Sequence, residues 1–341
     1  MELTRPWPAA AALREVLRQA WLGLAAVFLL TSVAIAQVAS VPADVRETRL
    51  IVPVEPGGGI DTVARLVAQH WSTSLQKTVN VFNRPGASGN LGTASVARAQ
   101  PDGQTLLVTG VSHLSSPLLH SAPGFDPIAD FVGVARLATA PNVLVVSDAL
   151  KDFSLKQILQ DLRSTNEGFT FSSAGYGHTS HIAAEVFMAR TGVRWLHVPY
   201  KGTAPALRAL MAGEVQIMFV PAASVGAAVR SGRVHALAVA HPVRISLLPD
   251  TPTLRELGVL NAEFSQWYGI LAPRGTPSEQ LRTLSAWSDQ TVQSPLFAAW
   301  VKAQGMEPGF LNQEQFGDFL VSEQRRLDAL LKKERVERPV N

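Results

Sequence analysis

From residue 49 onward, short apolar runs alternate with segments whose apolar positions recur every three to four residues. After "RLIVPV", the positions Val63, Leu66, Val67, His70 and Trp71 share one face at helical spacing and predict a helix over about 60–75. "TVNVF", a helix near 92–99, "QTLLVTG", "VGVARLA" and "NVLVVS" continue the series. Such alternation predicts an α/β protein of right-handed βαβ units around mostly parallel sheets.

The middle of the chain carries a second series. Ser154 with Gln157 fits a helix capping box. There follow "FTFSSAG", a helix over about 179–191, "RWLHVPY", a helix over about 204–212 stopped by Gly213, and "VQIMFV". "HALAVA" then returns to strand character. The remainder reads as largely helical, with starts marked by Thr276-Pro277-Ser278-Glu279 and by Asn312 with Gln315.

A chain that builds half of one α/β domain, completes a second and then returns must cross twice, and two crossings make a hinge. They are placed near Ala140-Pro141 and near His235 to Ala240, which gives lobe I as residues 37–140 and 236–341 and lobe II as 141–235. Ligands of open parallel sheets sit beyond the carboxyl ends of the strands, so the loops after each strand should face an interlobe cleft.

Composition narrows the class. The first 36 residues stand apart: Arg5, Arg14 and Arg18 precede an uncharged apolar run of 17 residues that ends in Ala34-Ile35-Ala36. This is the pattern of a secretory signal peptide cut after Ala36, with an uncleaved membrane anchor as the alternative. The chain has no cysteine, which removes disulfides, thiol catalysis, cysteine metal sites and a lipid-attachment Cys. A net charge of +3, with no basic block interleaved with aromatics, argues against nucleic acid as a partner.

The candidate chemistry lies in loops rich in Gly, Ser, Thr and Asn. They are "EPGGGID" (55–61), "NRPGASGN" (83–90, with Ser88 and Asn90), "GVSH" (110–113), "SSAGYGHTSH" (172–181) and "PYKGTA" (199–204). Glycine allows close backbone approach, and a helix start presents unpaired N–H donors, so these loops converge on an anion. "GGGIDTVAR" lacks the lysine and spacing of a P-loop, and it also fails the G-x-G-x-x-G pattern at Thr62. Asp61 reads as fixing its loop or offsetting the helix dipole, and Arg65 as facing solvent.

The Ser and His residues of "SSAGYGHTSH" come without a G-x-S-x-G elbow, and His178 and His181, three apart, come without a carboxylate pair for a metal. His178 is read as lining the cleft and His181 as packing beside the following helix. Lys201 either meets an anionic ligand or lies on the rim, and Trp267-Tyr268 either wall the cleft or pack the core. No cofactor and no metal is expected.

Taken in order, "VPVEPGGGID", "NRPGASGNLG", "ARAQPDGQTLL", "FDPIADF", "PNVLVV", "SSAGYGHTSHIAAE", "HVPYKGTAPALRALMAGEVQIMF", "SGRVHALAV", "LPDTPTLRELG" and "WYGILAPRGTP" resemble the substrate-binding receptors of tripartite tricarboxylate transporters, the Bug-type periplasmic solute receptors. The resemblance implies a two-lobed, type II periplasmic-binding fold that closes on a small carboxylate and delivers it to membrane transporter subunits, working as a monomer. It implies ligand contacts from Gly57, Gly58, Gly59 and Asp61, from Ser173, Ala174, Gly175, Gly177 and Thr179, and from Tyr200, Lys201, Gly202, Thr203 and Ala204.

The chain departs from the family pattern at Glu55, where a neutral residue is common, at Tyr176 and His178, where smaller polar residues are common, and at Phe219-Val220-Pro221, where an acidic residue often follows "MF". Tyr176 and His178 are accordingly expected to narrow the site or stack on a ligand. The rival readings are an α/β hydrolase or transferase using the same cleft, and a receptor that feeds a membrane sensor.

Overall fold

The structure is a computed structural model that describes residues 47–164 and 169–333. The predicted signal peptide lies outside the described residues. The first elements alternate strictly: β1 (Thr48–Val52), α1 (Gly59–Ser74), β2 (Val79–Asn83), α2 (Asn90–Ala97), β3 (Thr105–Thr109) and α3 (Ser112–Leu119). β1 pairs in parallel with β2 and β3. Ile51 packs into the apolar cluster on one side of the sheet, and Leu50 and Val52 into the cluster on the other. A strand covered on both faces reads as a continuous apolar run, which is why "RLIVPV" shows no alternation.

The next strand departs from the expectation of two. β4 (Phe131–Val146) is a single strand of 16 residues running straight through Ala140-Pro141. Its first part, through Pro141, pairs antiparallel with β9 (Ser265–Pro273); from Asn142 it pairs with β7 (Ile217–Pro221) and β8 (His235–Ala240). Proline has no N–H to contribute to a ladder, and Pro141 stands where the strand changes partners, so the strand survives it.

Between β4 and β8 lie α4 (Leu155–Ser164), β5 (Thr170–Ser173), α5 (Thr179–Thr191), β6 (Leu196–Pro199), α6 (Thr203–Met211) and α7 (Ala222–Arg230). β5 pairs in parallel with β6 and β7. After β9 come α8 (Ser278–Gln293), α9 (Pro295–Ala303), β10 (Glu307–Leu311) and α10 (Gln313–Lys333). The hydrogen-bonded order is β2-β1-β3-β9-β4-β7-β5-β6, with β10 and β8 also on β4. Parallel pairs occupy the outer parts, and antiparallel ladders run along β4 and β9. The architecture is a two-lobed periplasmic-binding-protein fold whose two sheets share β4.

The second crossing follows β8, which itself stays paired with β4. It is stitched to the first by Asn142, whose Nδ2 donates to Phe264 O at 2.7 Å and to Thr179 Oγ1 at 2.9 Å. One fully buried side chain thus ties both crossings to the start of α5. The capping boxes at Ser154/Gln157 and Asn312/Gln315 form reciprocally. Thr276 does not cap α8: its hydroxyl donates back to Pro273 O at 2.8 Å and closes the preceding turn.

Candidate functional site

The loop between β1 and α1 is held from beneath by Asp61. Gly57 N donates to Asp61 Oδ2 at 3.0 Å, Asn83 Nδ2 donates to Oδ1 at 2.9 Å, and Arg65 reaches both oxygens at 3.0 Å. Burial disfavours the charged carboxylate, yet the bonds from Arg65, Gly57 and Asn83 outweigh it and hold its pKa below the ordinary range. Arg65 is therefore half of a clamp rather than a solvent residue, although its side chain is half exposed. Gly57, at φ +91°, needs the left-handed freedom of glycine. Gly58 does not: its backbone is extended, at φ −86° and ψ 171°.

The loop after β2 is bent by four successive residues at positive φ: Gly86 (127°), Ala87 (47°), Ser88 (56°) and Gly89 (92°). Two of the four carry side chains, and each such residue costs about 1 kcal/mol in this region. Local strain of this kind collects at binding sites. Ser88→Gly is expected to raise stability by up to about 1 kcal/mol, reduced by the greater unfolded-state entropy of glycine; urea melts read this directly.

Beyond β5, the chain folds over a buried polar layer. Ser173 Oγ lies 2.6 Å from His197 Nε2 and accepts from Gly175 N at 3.1 Å. Ala174 N donates to Ser180 Oγ at 2.9 Å, and Gly177 N to His181 Nδ1 at 3.3 Å. Together with Gly57 N on Asp61, and Gly59 N on Ser224 Oγ at 3.1 Å, these bonds engage most of the glycine-loop donors within the protein. In this closed structure the N–H groups of Gly57, Gly59, Ala174, Gly175 and Gly177 are each bonded within the protein. Their partners are polar side chains two to six residues away or across the cleft, which sequence spacing alone does not reveal.

The loops of the two lobes are in contact, and the cleft is closed. A β-carbon placed on Gly57 would stand 3.6 Å from Ala204 Cβ, and one on Gly58 would stand 3.5 Å from Thr203 Cβ. One on Gly202 would stand 3.3 Å from the Glu55 nitrogen, and one on Gly175 3.2 Å from Ser88 Oγ. Between the lobes is a cavity of about 190 Å³, whose wall includes Ser88, Ala174, Gly175, His178, Tyr200 and Lys201 from the predicted set. A smaller enclosed space of about 10 Å³ adjoins it, lined by Gly58, Gly59, Thr179, Thr203 and Tyr268 and sharing Val54, Ala174 and His178.

The other predicted residues are placed around this site rather than on its wall. Gly57, Gly202 and Ala204 make the interlobe contacts; Asp61, Asn90, Ser173 and Gly177 are buried supports or spacers. Tyr176 packs its edge on His181 and His197, with ring centroids 5.2 and 4.7 Å apart, so it supports the loop from behind. Glu55 meets Gly202 at the mouth. Trp267 packs on Phe316 and Phe319 in the core, whereas Tyr268, its neighbour on the other face of β9, lines the site.

Sequence reasoning missed Pro53 and Val54 on the wall, and Ser224 and Gln266 beside it. The first two lie between β1 and the predicted loop; nothing in the spacing distinguishes Ser224 or Gln266. Lys201 is exposed and stands at the rim. His178 is buried on the cavity wall, and burial pushes its pKa down to about 4, with the Ser88 backbone opposing this and His120 adding to it. Burial pushes the Tyr268 phenol up, so it remains a protonated donor.

Two lobes joined by a shared strand and closed over a small cavity define a periplasmic-type solute-binding protein. The chain belongs to the tripartite tricarboxylate transporter family of receptors, whose family model matches residues 63–336. It is similar to Protein BugT of Bordetella pertussis, with 31% identity over 308 residues that cover 89% of this chain and 94% of BugT. Among solved structures it is similar to Rpa4515 of R. palustris with adipate, at 30% identity and a TM-score of 0.83, covering 86% of this chain and 99% of that one. It is likewise similar to MatC of Rhodopseudomonas palustris with bound malate, at 28% identity and a TM-score of 0.78, covering 84% and 99%.

Proposed function

We propose that this protein is a periplasmic receptor that captures a small aliphatic dicarboxylate by hinge closure and delivers it to a membrane transporter without a chemical step. The observation that carries the reading is the cavity of about 190 Å³ closed between glycine loops of both lobes, with Lys201 as the charged side chain on its wall. A cation at the rim and polar side chains deeper in suit an anion with two ends. Ser88, Thr179, Thr203, Tyr200 and Tyr268 supply hydroxyl donors where the main-chain donors are already engaged.

The adipate and malate held by the two similar structures are both dicarboxylates of a size commensurate with this volume. The Ser173–His197 contact resembles a hydrolase pair in its atoms. Ser173 is fully buried away from the cavity, its oxygen already accepts from Gly175, and the buried His197 Nδ1 has no carboxylate partner among the described residues. No helix of the described residues is long and apolar enough to cross a membrane.

A thermal-shift screen of the purified protein against dicarboxylates of four to six carbons, monocarboxylates and amino acids tests the reading. A ligand at 100 times its Kd stabilises the native state by about 2.7 kcal/mol, a rise of several degrees in Tm. The expected result is such a rise with at least one dicarboxylate. The absence of a rise with every carboxylate overturns the proposal.

A further inference from the structure

Successive side chains of a strand point to opposite faces, and β9 uses this at the hinge: Tyr268 faces the ligand site, while Trp267 faces the other way. On that second face lies another cavity, of about 220 Å³, between β4, β9, α10 and the chain entering β9. Thr139 and Trp267, directly paired across the two hinge strands, form its floor, and Phe264 and Phe319 form its apolar sides.

Its charges are arranged unevenly. Glu323 is buried and taken by Arg326 through two bonds of 2.7 Å, and Glu263 is taken by Arg255 at 2.7 Å. Arg136 is different. Its Nε donates to Gly309 O at 2.8 Å and its guanidinium stands 4.9 Å over the Phe319 ring, but no carboxylate of the described residues forms an ion pair with it. Glu323, within its electrostatic reach, is already occupied by Arg326. Trp267, only 2% exposed, has its Nε1–H buried without a hydrogen-bond partner among the described residues. A half-buried guanidinium with no carboxylate of the described residues in ion-pair contact, an unsatisfied indole donor and aromatic sides occur together in one cavity.

The geometry points to a second binding site on the rear of the hinge strands, for a small aromatic carboxylate: the carboxylate meets Arg136 and the ring lies among Phe264, Trp267 and Phe319. This site is separate from the cleft and stands or falls independently of the dicarboxylate reading. An occupant touches β4 and β9 where the lobes join, so it is placed to bias closure.

The test follows the indole N–H signals of the ¹⁵N-labelled protein during titration with benzoate, the Trp267 signal being identified by its loss in Trp267→Phe. The expected result is a saturable shift of that signal, retained in Gly58→Val, whose mutation lies in the cleft, and weakened at least about tenfold in Arg136→Met, as the loss of a charge-assisted contact requires. Ser265→Phe, which fills the cavity from its rim without removing Arg136, is expected to abolish the shift and serves if Arg136→Met does not fold. An unmoved Trp267 signal, an equal shift with neutral benzamide, or a shift lost in Gly58→Val and kept in the cavity variants overturns the proposal.

Discussion

Gly58→Val is expected to reduce carboxylate affinity at least a hundredfold, while the Tm of the unliganded protein stays within a few degrees of the parent. The two halves of this result have separate causes. Gly58 has ordinary extended backbone angles, so a side chain there introduces no backbone strain in either lobe. In the closed form a β-carbon already reaches van der Waals distance of Thr203, at 3.5 Å, and the two further methyls of valine have no room without parting the lobes. Binding requires closure, and a ligand shifts the population only through the contacts it makes with both lobes at once. Calorimetric titration with the best dicarboxylate of the screen reads the affinity, and a scan without ligand reads the fold. Gly57→Val makes the contrast: at φ +91° it strains the loop itself and should lower the Tm as well. Unchanged affinity in Gly58→Val would remove this loop from the closing surface.

Acid is the second lever. His178 comes from one lobe and is buried against Ser88 of the other, where its pKa falls to about 4 from the ordinary 6.5. The closed form therefore binds fewer protons than an open form in which the ring reaches water. By linkage, the contribution of His178 to closure is fully present above about pH 6.5 and is lost as the pH falls toward 4. A difference of that size corresponds to about 3 kcal/mol over the whole window, so between pH 7.5 and 5 the Kd should rise by about tenfold or more. The Coulombic effect of His120 lowers the His178 pKa further. His178→Gln, which keeps a polar group but cannot titrate, should flatten the profile. His181 and His197 are depressed by burial within one lobe, so they should affect folding in acid rather than closure. A Kd independent of pH in the parent protein would show that the ring stays buried on opening.

Much of the fold was legible because apolar periodicity is a local property. The helices predicted over about 60–75, 179–191 and 204–212 each lie within a residue or two of α1, α5 and α6, and Gly192 and Gly213 follow the last two. β4 was not legible as one strand. Proline between two apolar runs ordinarily marks a break, and only the change of pairing partners at Pro141, a long-range fact, removes the cost. At the site, the loops were legible but the roles within them were divided differently. Asp61 was read as a loop fixture and is one. Tyr176 was expected to narrow the site or stack on a ligand, and in this structure its ring stands edge-on to the stacked imidazoles of His181 and His197, contacts between segments that local spacing does not show. Ser224 and Asn142 carry bonds between distant segments and leave no trace in local spacing.

The continuity of β4 bears on how the molecule moves. Where lobes are joined by slack linkers, opening samples many orientations. Here the joint is a hydrogen-bonded ribbon with Asn142 pinned across it, so fewer orientations are open to the lobes. Such a joint behaves as a torsion bar. Continuity of the ribbon therefore couples the position of one lobe to that of the other through the backbone itself.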